Sequence, residues 1–240
     1  MQLTVIGSSP AWPNPGGAHS GYLVEAGGKR LLVDCGPGVL PRLRKHETWP
    51  KLDAIAISHF HLDHWGDLVP WVWGSMYLNG RPGEVTLFIP PNGGEVLTEL
   101  GARLGFPDMF ERVFAIREYV PQRAFEVGGL SVTPIRVPHY TIQTYAFRVQ
   151  EGETVLAYSG DSAPSDELVE VARDADLFVC EATLRTGADD GDLRGHLSVD
   201  EAVSAFEQSG ARRLLLTHRP AELPVPEGLE LAYDGLELTV

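Results

Sequence analysis

The sequence predicts an α+β fold in which two mixed sheets pack together and helices cover their outer faces. Three observations carry this reading. Strand-like segments occur in both halves of the chain, helix-like segments fall between them, and no apolar stretch approaches the roughly 20 residues needed to span a bilayer. The 240 residues, 43% of them apolar, supply ample material for a core. No linker-like run, internal repeat or low-complexity tract divides them, so residues 1–240 read as a single domain.

The elements follow in order. Met1-Gln2-Leu3-Thr4-Val5-Ile6 lacks the basic region and cleavage site of a signal peptide and reads as a first strand over residues 2–6. Gly7 to Gly17 is a Pro/Gly-rich loop too long for a hairpin turn, and long structured loops of this kind are often functional. Strands are expected at 20–26, 30–34 and 53–58, with a short helix from Val39 to Lys45 packing behind the site. Residues 85–89 form another strand, and Glu95 to Leu104 has apolar residues at helical spacing with Gly105 as C-cap. In the second half, strands are expected at 130–137, 142–149 and 154–159. Ser165 caps a helix whose first turn carries Asp166 and Glu167. Leu177 to Cys180 is a short buried strand, and Ser198-Val199-Asp200-Glu201 is a capping box opening a helix to Ser209 and Gly210. Arg212 to Thr217 is a strand, and the chain ends in an expected hairpin turning at Asp234-Gly235.

Composition narrows the partners. A protein that grips long nucleic acid shows a basic stripe that releases counterions. This chain carries a net charge of −14, and its nearest approach to a basic cluster, Arg42, Arg44 and Lys45, reads as a solvated helix face. Acidity disfavours polyanionic partners but not a small anionic substrate, because bound metal ions dominate the field inside a pocket. Cys35 and Cys180 lie far apart, each ending a buried strand, and are expected as reduced core thiols in a cytoplasmic protein.

The chemistry concentrates in His59-Phe60-His61-Leu62-Asp63-His64, where four side chains able to bind a divalent ion follow a predicted strand. Ligands at the carboxyl end of a strand are where α/β sheets place their sites. Three further candidates share that placement: His139 after the strand ending at Val137, Asp161 in Ser159-Gly160-Asp161-Ser162, and His218 after Thr217. Imidazoles and carboxylates suit Zn²⁺, and Mn²⁺ and Fe accept the same donors. Two such ions about 3.5–4 Å apart can share a hydroxide and clamp the oxygens of an in-line displacement. No Gly-x-Ser-x-Gly elbow or P-loop points to a competing chemistry.

On these residues the chain resembles the metallo-β-lactamase superfamily. The HxHxDH motif, then His139, Asp161 and His218, matches the family's ligand series in order over nearly the whole chain. The resemblance implies a four-layer αββα sandwich with the site at one edge of the sheets. It also implies two Zn²⁺, one held by His59, His61 and His139, the other by Asp63, His64 and His218, with Asp161 between them. Asp63 would additionally aim the attacking oxygen. The resemblance further implies a homodimer.

Gly7-Ser8-Ser9, Asp34-Cys35-Gly36-Pro37-Gly38, Cys180-Glu181-Ala182-Thr183, Gly195-His196-Leu197-Ser198 and Leu216-Thr217-His218 are similar to the tRNase Z (ribonuclease Z) branch and its cyclic-nucleotide phosphodiesterase relatives. There His196 would be the general acid and Glu181 its orienting carboxylate, a pairing that raises an imidazole's pKa and fixes its tautomer. One departure matters: only 21 residues separate His139 from Asp161, where tRNA-processing enzymes carry a long arm. The expectation is therefore a metal-dependent phosphodiesterase for a small diester such as cAMP, ranked ahead of two alternatives, a tRNA 3′ endonuclease and a lactone or thioester hydrolase of the same superfamily. Trp65, Trp71, Trp73 and Tyr77 read first as core or dimer-contact aromatics and second as a stacking face for a base. Trp12, Asn14, His19 and Tyr140 are candidate rim residues, whereas His46 reads as solvent-exposed.

Overall fold

The computed structural model describes residues 1–45, 49–78 and 85–240, so the expectation for His46 lies outside the described residues. The first half contains β1 (Gln2–Gly7), β2 (Gly21–Ala26), β3 (Lys29–Val33), α1 (Val39–Leu43), β4 (Ala54–Ala56), α2 (Leu62–Trp65), α3 (Leu68–Tyr77), β5 (Val85–Ile89), α4 (Gly93–Arg103) and β6 (Phe114–Glu118). The second contains β7 (Phe125–Val127), β8 (Leu130–Val137), β9 (Thr144–Glu151), β10 (Thr154–Tyr158), α5 (Asp166–Ala172), β11 (Leu177–Glu181), α6 (Val199–Ser209), β12 (Leu214–Thr217), β13 (Glu230–Leu231) and β14 (Glu237–Thr239). A short 3-10 turn, Gly187–Asp190, lies between β11 and α6.

Two seven-stranded sheets result, ordered β14-β1-β2-β3-β4-β5-β6 and β13-β12-β11-β10-β9-β8-β7. Their facing sides close on one core that includes Leu3, Val5 and Val24 from the first sheet and Phe147, Val149 and Val179 from the second. On the far side of the first sheet, Val39, Leu43, Trp71 and Leu97 from the helices cover Ile55 and Leu87. On the far side of the second, Leu168, Val171, Ala202 and Ala205 from α5 and α6 cover Phe178 and Leu216. This is the expected αββα sandwich. Strands covered on both faces, such as Leu-Leu-Leu-Thr of β12, are buried throughout, as two-sided coverage requires. Phe147 and Phe178 are fully buried, which contributes about 1.5–3 kcal/mol for each. Among the described residues, no helix is long and apolar enough to cross a membrane.

Strand direction explains why the functional residues meet. β3, β4 and β5 run parallel, as do β10, β11 and β12. β8 runs with β10 because each is antiparallel to β9. The carboxyl ends of β4, β8, β10, β11 and β12 therefore deliver His59, His139, Asp161, Glu181 and His218 to one region.

Several elements differ from the sequence expectations. β4 spans three residues instead of six because Ser58 leaves the ladder and donates its N–H to the Asp34 carboxylate at 2.7 Å. Helix α3 was unforeseen; its Leu68-Val69-Pro70-Trp71-Val72-Trp73 run is too uniformly apolar to show an amphipathic period. β6 and β7 were also unforeseen. The terminal hairpin is not formed: β14 pairs with β1 in one sheet, and β13 pairs with β12 in the other. The Asp234 carboxylate that signalled a tight turn instead accepts from Ser8 N at 3.2 Å and Ala18 N at 2.8 Å and pairs with Arg42 at 2.9 Å. The last segment thus crosses between the sheets and fastens the N-terminal loop.

Candidate metal centre and active site

All seven predicted ligands converge. His59, His61, His139 and Asp161 form one group, and Asp63, His64, Asp161 and His218 a second; within each, the available ligand atoms lie within 4.8 Å of one another. Asp161 Oδ2 is 3.8 Å from His59 Nε2, 3.8 Å from His139 Nε2 and 3.3 Å from His64 Nε2. Its Oδ1 is 3.7 Å from His218 Nε2, so one carboxylate faces both groups. Asp63 Oδ2 lies 3.1 Å from His218 Nε2 and 3.4 Å from His64 Nε2.

The outer ring nitrogens are tied down. His139 Nδ1 is 2.6 Å from the Gly195 carbonyl oxygen and His64 Nδ1 is 2.7 Å from Asp34 Oδ2; both oxygens only accept, so each Nδ1 carries the proton. Ser58 Oγ donates to Asp34 at 2.8 Å and is left to accept from His59 Nδ1 at 3.0 Å. Thr183 Oγ1 donates to Glu181 at 2.8 Å and is left to accept from His218 Nδ1 at 2.9 Å. The rings of His59, His64, His139 and His218 thereby turn Nε2 inward, the arrangement that carboxylate and carbonyl partners impose on metal-binding histidines. His61 is the exception: its Nδ1 points in, 2.9 Å from His139 Nε2.

These residues fit divalent cations. His59 Nε2, His64 Nε2 and Asp161 Oδ1 are buried with no hydrogen-bond partner among the described residues, a costly arrangement for a site without an ion to bind. Burial pushes His59, His61 and His139 below the ordinary imidazole range, which keeps them neutral and able to ligate. Burial opposes a charge on His64 too, but Asp161, Asp63 and Asp34 around it prevail and raise it well above that range. Burial likewise opposes ionisation of Asp161, yet His218 and His64 hold it far below the usual carboxylate range. The neutral imidazoles of His59, His61 and His139 and the ionised carboxylate of Asp161 belong to a donor set that suits Zn²⁺.

Beside the cage, His196 Nδ1 is 2.9 Å from Glu181 Oε1 and 4.0 Å from Asp161 Oδ2. Glu181 is fully buried and also accepts from Ser162 N at 3.0 Å and Thr183 N at 3.1 Å, which leaves its carboxylate no freedom to turn. Burial disfavours the imidazolium of His196, but the Glu181 charge and hydrogen bond outweigh it and raise the pKa to about 9.

A cavity of about 1030 Å³ opens over the cage, lined by Trp12, Phe60, His61, Asp63, Tyr140, Asp161, Arg185 and His196 among others. Of the proposed rim residues, Trp12, half exposed, and Tyr140 line it. Asn14 does not; it donates to the Arg219 carbonyl at 3.0 Å and accepts from Ala221 N at 2.8 Å, pinning the N-terminal loop to the segment after His218. His19 is buried, with Nδ1 2.8 Å from the Pro10 carbonyl. Trp65 and Trp71 are core residues and Trp73 packs on Tyr77 and Phe106, so that aromatic cluster offers the cavity no stacking face. Sequence reasoning assigned no role to Asp34, Ser58, Thr183, Arg185 and Asp190. Asp34 and Thr183 carried a signal, their places in Asp-Cys-Gly-Pro-Gly and Cys-Glu-Ala-Thr at strand ends; the others carried none.

Residues 29–219 match the model of the beta-lactamase superfamily domain. The probable metallo-hydrolase YhfI of Bacillus subtilis is 33% identical over 92% of this chain and 87% of its own length. Its crystal structure, a metallo-beta-lactamase fold protein, superposes with a TM-score of 0.85, each chain covered over 99%. A ribonuclease Z of Myxococcus xanthus is 27% identical over 91% of this chain and 86% of its own. The short form of human tRNase Z shares the fold, with a TM-score of 0.79 at 23% identity, covering 100% of this chain and 99% of that one. With the family match spanning most of the sequence and a relative one-third identical along nearly all of it, the chain belongs to the metallo-β-lactamase superfamily of hydrolases.

Proposed function

We propose that residues 1–240 form one hydrolase domain, a dinuclear metal-dependent phosphodiesterase for a small diester such as a 3′,5′-cyclic nucleotide. The observation that carries this reading is the pairing of buried Glu181 with His196 at the cavity wall, 2.9 Å apart and beside the ligand cage. A proton donor held there serves a reaction with a poor oxygen leaving group, and a lactone or thioester hydrolase has little use for it. His59, His61 and His139 would hold one ion, Asp63, His64 and His218 the other, with Asp161 shared. Zn²⁺ is the ion of first choice, Mn²⁺ and Fe the alternatives. When bound, the ions supply Lewis acidity and a water acidic enough to attack at neutral pH.

The chain's own residues supply the rest. Burial opposes ionisation of Asp63, but His64 and His218 hold its carboxylate far below the usual range, so it stays an acceptor and orients the attacking water. His196 delivers a proton to the oxygen that leaves phosphorus, and Glu181 stabilises the imidazolium before transfer. Trp12, Phe60 and Tyr140 bound the space for the organic part of the substrate.

Two features favour a small diester over tRNA. The 21 residues between His139 and Asp161 hold the β9–β10 hairpin and no long arm. Among the described residues Arg185 is the only Lys or Arg lining the cavity, alongside Asp189 and Glu222, and a polyphosphate chain has little there to neutralise it. The test is a hydrolysis screen of cyclic mononucleotides, bis-p-nitrophenyl phosphate and precursor tRNA on metal-quantified protein, with His196→Ala beside it. On a cyclic mononucleotide, whose alkoxide leaving group needs a proton, turnover that falls about 10²–10⁴-fold in H196A, metal content unchanged, is the expected result, with a smaller loss on bis-p-nitrophenyl phosphate. Efficient cutting of precursor tRNA at the discriminator base overturns the choice of substrate; a metal-loaded protein inert to every diester overturns the reaction class.

A further inference from the structure

His196 sits on a loop, and a loop does not by itself hold a proton donor to the fraction of an ångström that transfer requires. The segment from Thr186 to Glu201 is nevertheless braced at both ends. Thr186 and Asp189 form a reciprocal cap on the 3-10 turn, and Ser198 and Glu201 form another on α6. Arg194 joins the second cap, with Nη2 3.0 and 2.9 Å from the two Glu201 oxygens and 3.0 Å from the His196 carbonyl. Asp190, the last residue of the 3-10 turn, belongs to neither cap. Its carboxylate is 6% exposed and turns across the loop.

There Asp190 Oδ2 accepts from Gly195 N at 2.6 Å and from His196 N at 2.9 Å, and Oδ1 accepts from the Tyr140 hydroxyl at 2.7 Å. Three more contacts tie the backbone from Arg194 to His196 to the strand end that carries His139. Tyr140 N donates to the Arg194 carbonyl at 3.1 Å, His139 Nδ1 donates to the Gly195 carbonyl at 2.6 Å, and the Tyr140 ring lies where a Cβ on Gly195 would be. One peptide, Gly195–His196, thus orients a candidate ligand through its carbonyl side and carries the candidate acid on its other side.

We propose that Asp190 is a positioning residue for the leaving-group acid: its carboxylate clamps the Gly195–His196 peptide and, through Tyr140, locks it to the segment bearing His139. This rests on the reading of His196 as proton donor. Glu181 sets the direction of the imidazole ring; Asp190 sets the place of its backbone. Tyr140 is the second half of the clamp, and its ring doubles as cavity wall.

The experiment compares wild type, H196A, Asp190→Asn and Tyr140→Phe on a series of bis-aryl phosphodiesters whose leaving phenols run from p-nitrophenol to phenol, with metal content measured in each. A leaving group of low pKa departs with little help, whereas phenolate needs the acid. In D190N, kcat is expected to fall less than about threefold on the p-nitrophenyl ester and more than about tenfold on the phenyl ester. Y140F, which keeps the two backbone hydrogen bonds, is expected to move the same way by a smaller factor and serves alone if D190N does not fold. D190N combined with H196A should cost no more than H196A by itself. A wild-type leaving-group dependence in D190N or Y140F overturns the proposal, as does a loss of metal in D190N, which would make Asp190 a support of the cage. If H196A itself leaves the dependence unchanged, the acid reading fails first, and that outcome is distinguishable because it does not involve Asp190.

Discussion

Asp34→Asn isolates what the partners of the ligands contribute. Asp34 is fully buried in a left-handed backbone conformation, φ 59°, which Asn tolerates as well as Asp, so the substitution leaves the backbone alone. The carboxylate accepts four hydrogen bonds. Oδ1 takes Ser58 N at 2.7 Å; Oδ2 takes Ser58 Oγ at 2.8 Å, His64 Nδ1 at 2.7 Å and the Tyr158 hydroxyl at 2.9 Å. An amide keeps one acceptor oxygen and puts two N–H donors in place of the other. Turned toward the Oδ1 side, those donors face one N–H; turned the other way, they face three donors. The first orientation is cheaper and leaves the Ser58 N–H buried without an acceptor, at about 1–3 kcal/mol. The three remaining bonds pass from a charged to a neutral acceptor and weaken by about 1 kcal/mol each. Relief of the carboxylate's own desolvation offsets part of this, leaving a net loss of about 2–4 kcal/mol. His64 is also oriented less firmly, which lowers metal affinity by about 10–100-fold. Urea unfolding of the chelated protein reads the first loss. Unfolding at saturating metal reads the second, as a further destabilisation of about 1.4–2.7 kcal/mol at equal free metal. An unfolding midpoint within about 1 kcal/mol of wild type, together with wild-type affinity in chelator competition, would refute the view that Asp34 sets the tautomer and aim of His64.

The remaining predictions test the cage and the cavity separately. At Gly36 a Cβ would run into the Asp63 carbonyl oxygen and lie 2.7 Å from His19 Cβ, and neither backbone nor a buried ring can give way. Gly36→Ala is therefore expected to cost about 1–3 kcal/mol or more through overpacking and to lower metal stoichiometry by displacing the ligand turn; an unchanged thermal midpoint with full metal content counts against this. Trp12 is half exposed and lines the cavity from the N-terminal loop, so Trp12→Ala should leave stability nearly untouched. If a nucleobase stacks there, the KM for a purine cyclic nucleotide rises by about tenfold with little change in kcat, the scale expected for one lost base–aromatic contact; an unchanged KM places the base elsewhere.

How far the site could be read before folding depends on the range over which each feature is specified. The convergence of the HxHxDH turn, His139, Asp161 and His218 was legible because a candidate cation cage needs uncommon residue types at positions just after strands, and both the type and the strand ending are local. Partners are not local. Asp34 meets His64 across 30 positions, Thr183 meets His218 across 35, and Asp190 meets Tyr140 across 50. Any of the chain's 33 acidic residues could have filled the carboxylate roles, and nothing in the neighbours of Asp190 distinguishes it from Asp189, which spends its side chain on its own helical turn. The stacking face failed for the opposite reason. Trp65 and Trp71 follow the ligand turn closely, which suggested a stacking face as their second reading, but helices α2 and α3 carry them into the outer core, as their first reading expects. Trp12 reaches the cavity because Asn14 fastens its loop to Arg219 and Ala221, more than 200 positions away. The terminal Asp234-Gly235 pair shows the same competition. A two-residue turn offers its Asp a weak local role, whereas Ser8, Ala18 and Arg42 offer three hydrogen bonds and an ion pair. Where a local signal and a long-range set of partners compete for one side chain, the larger number of satisfied bonds decides, and that number exists only once both sheets are in place.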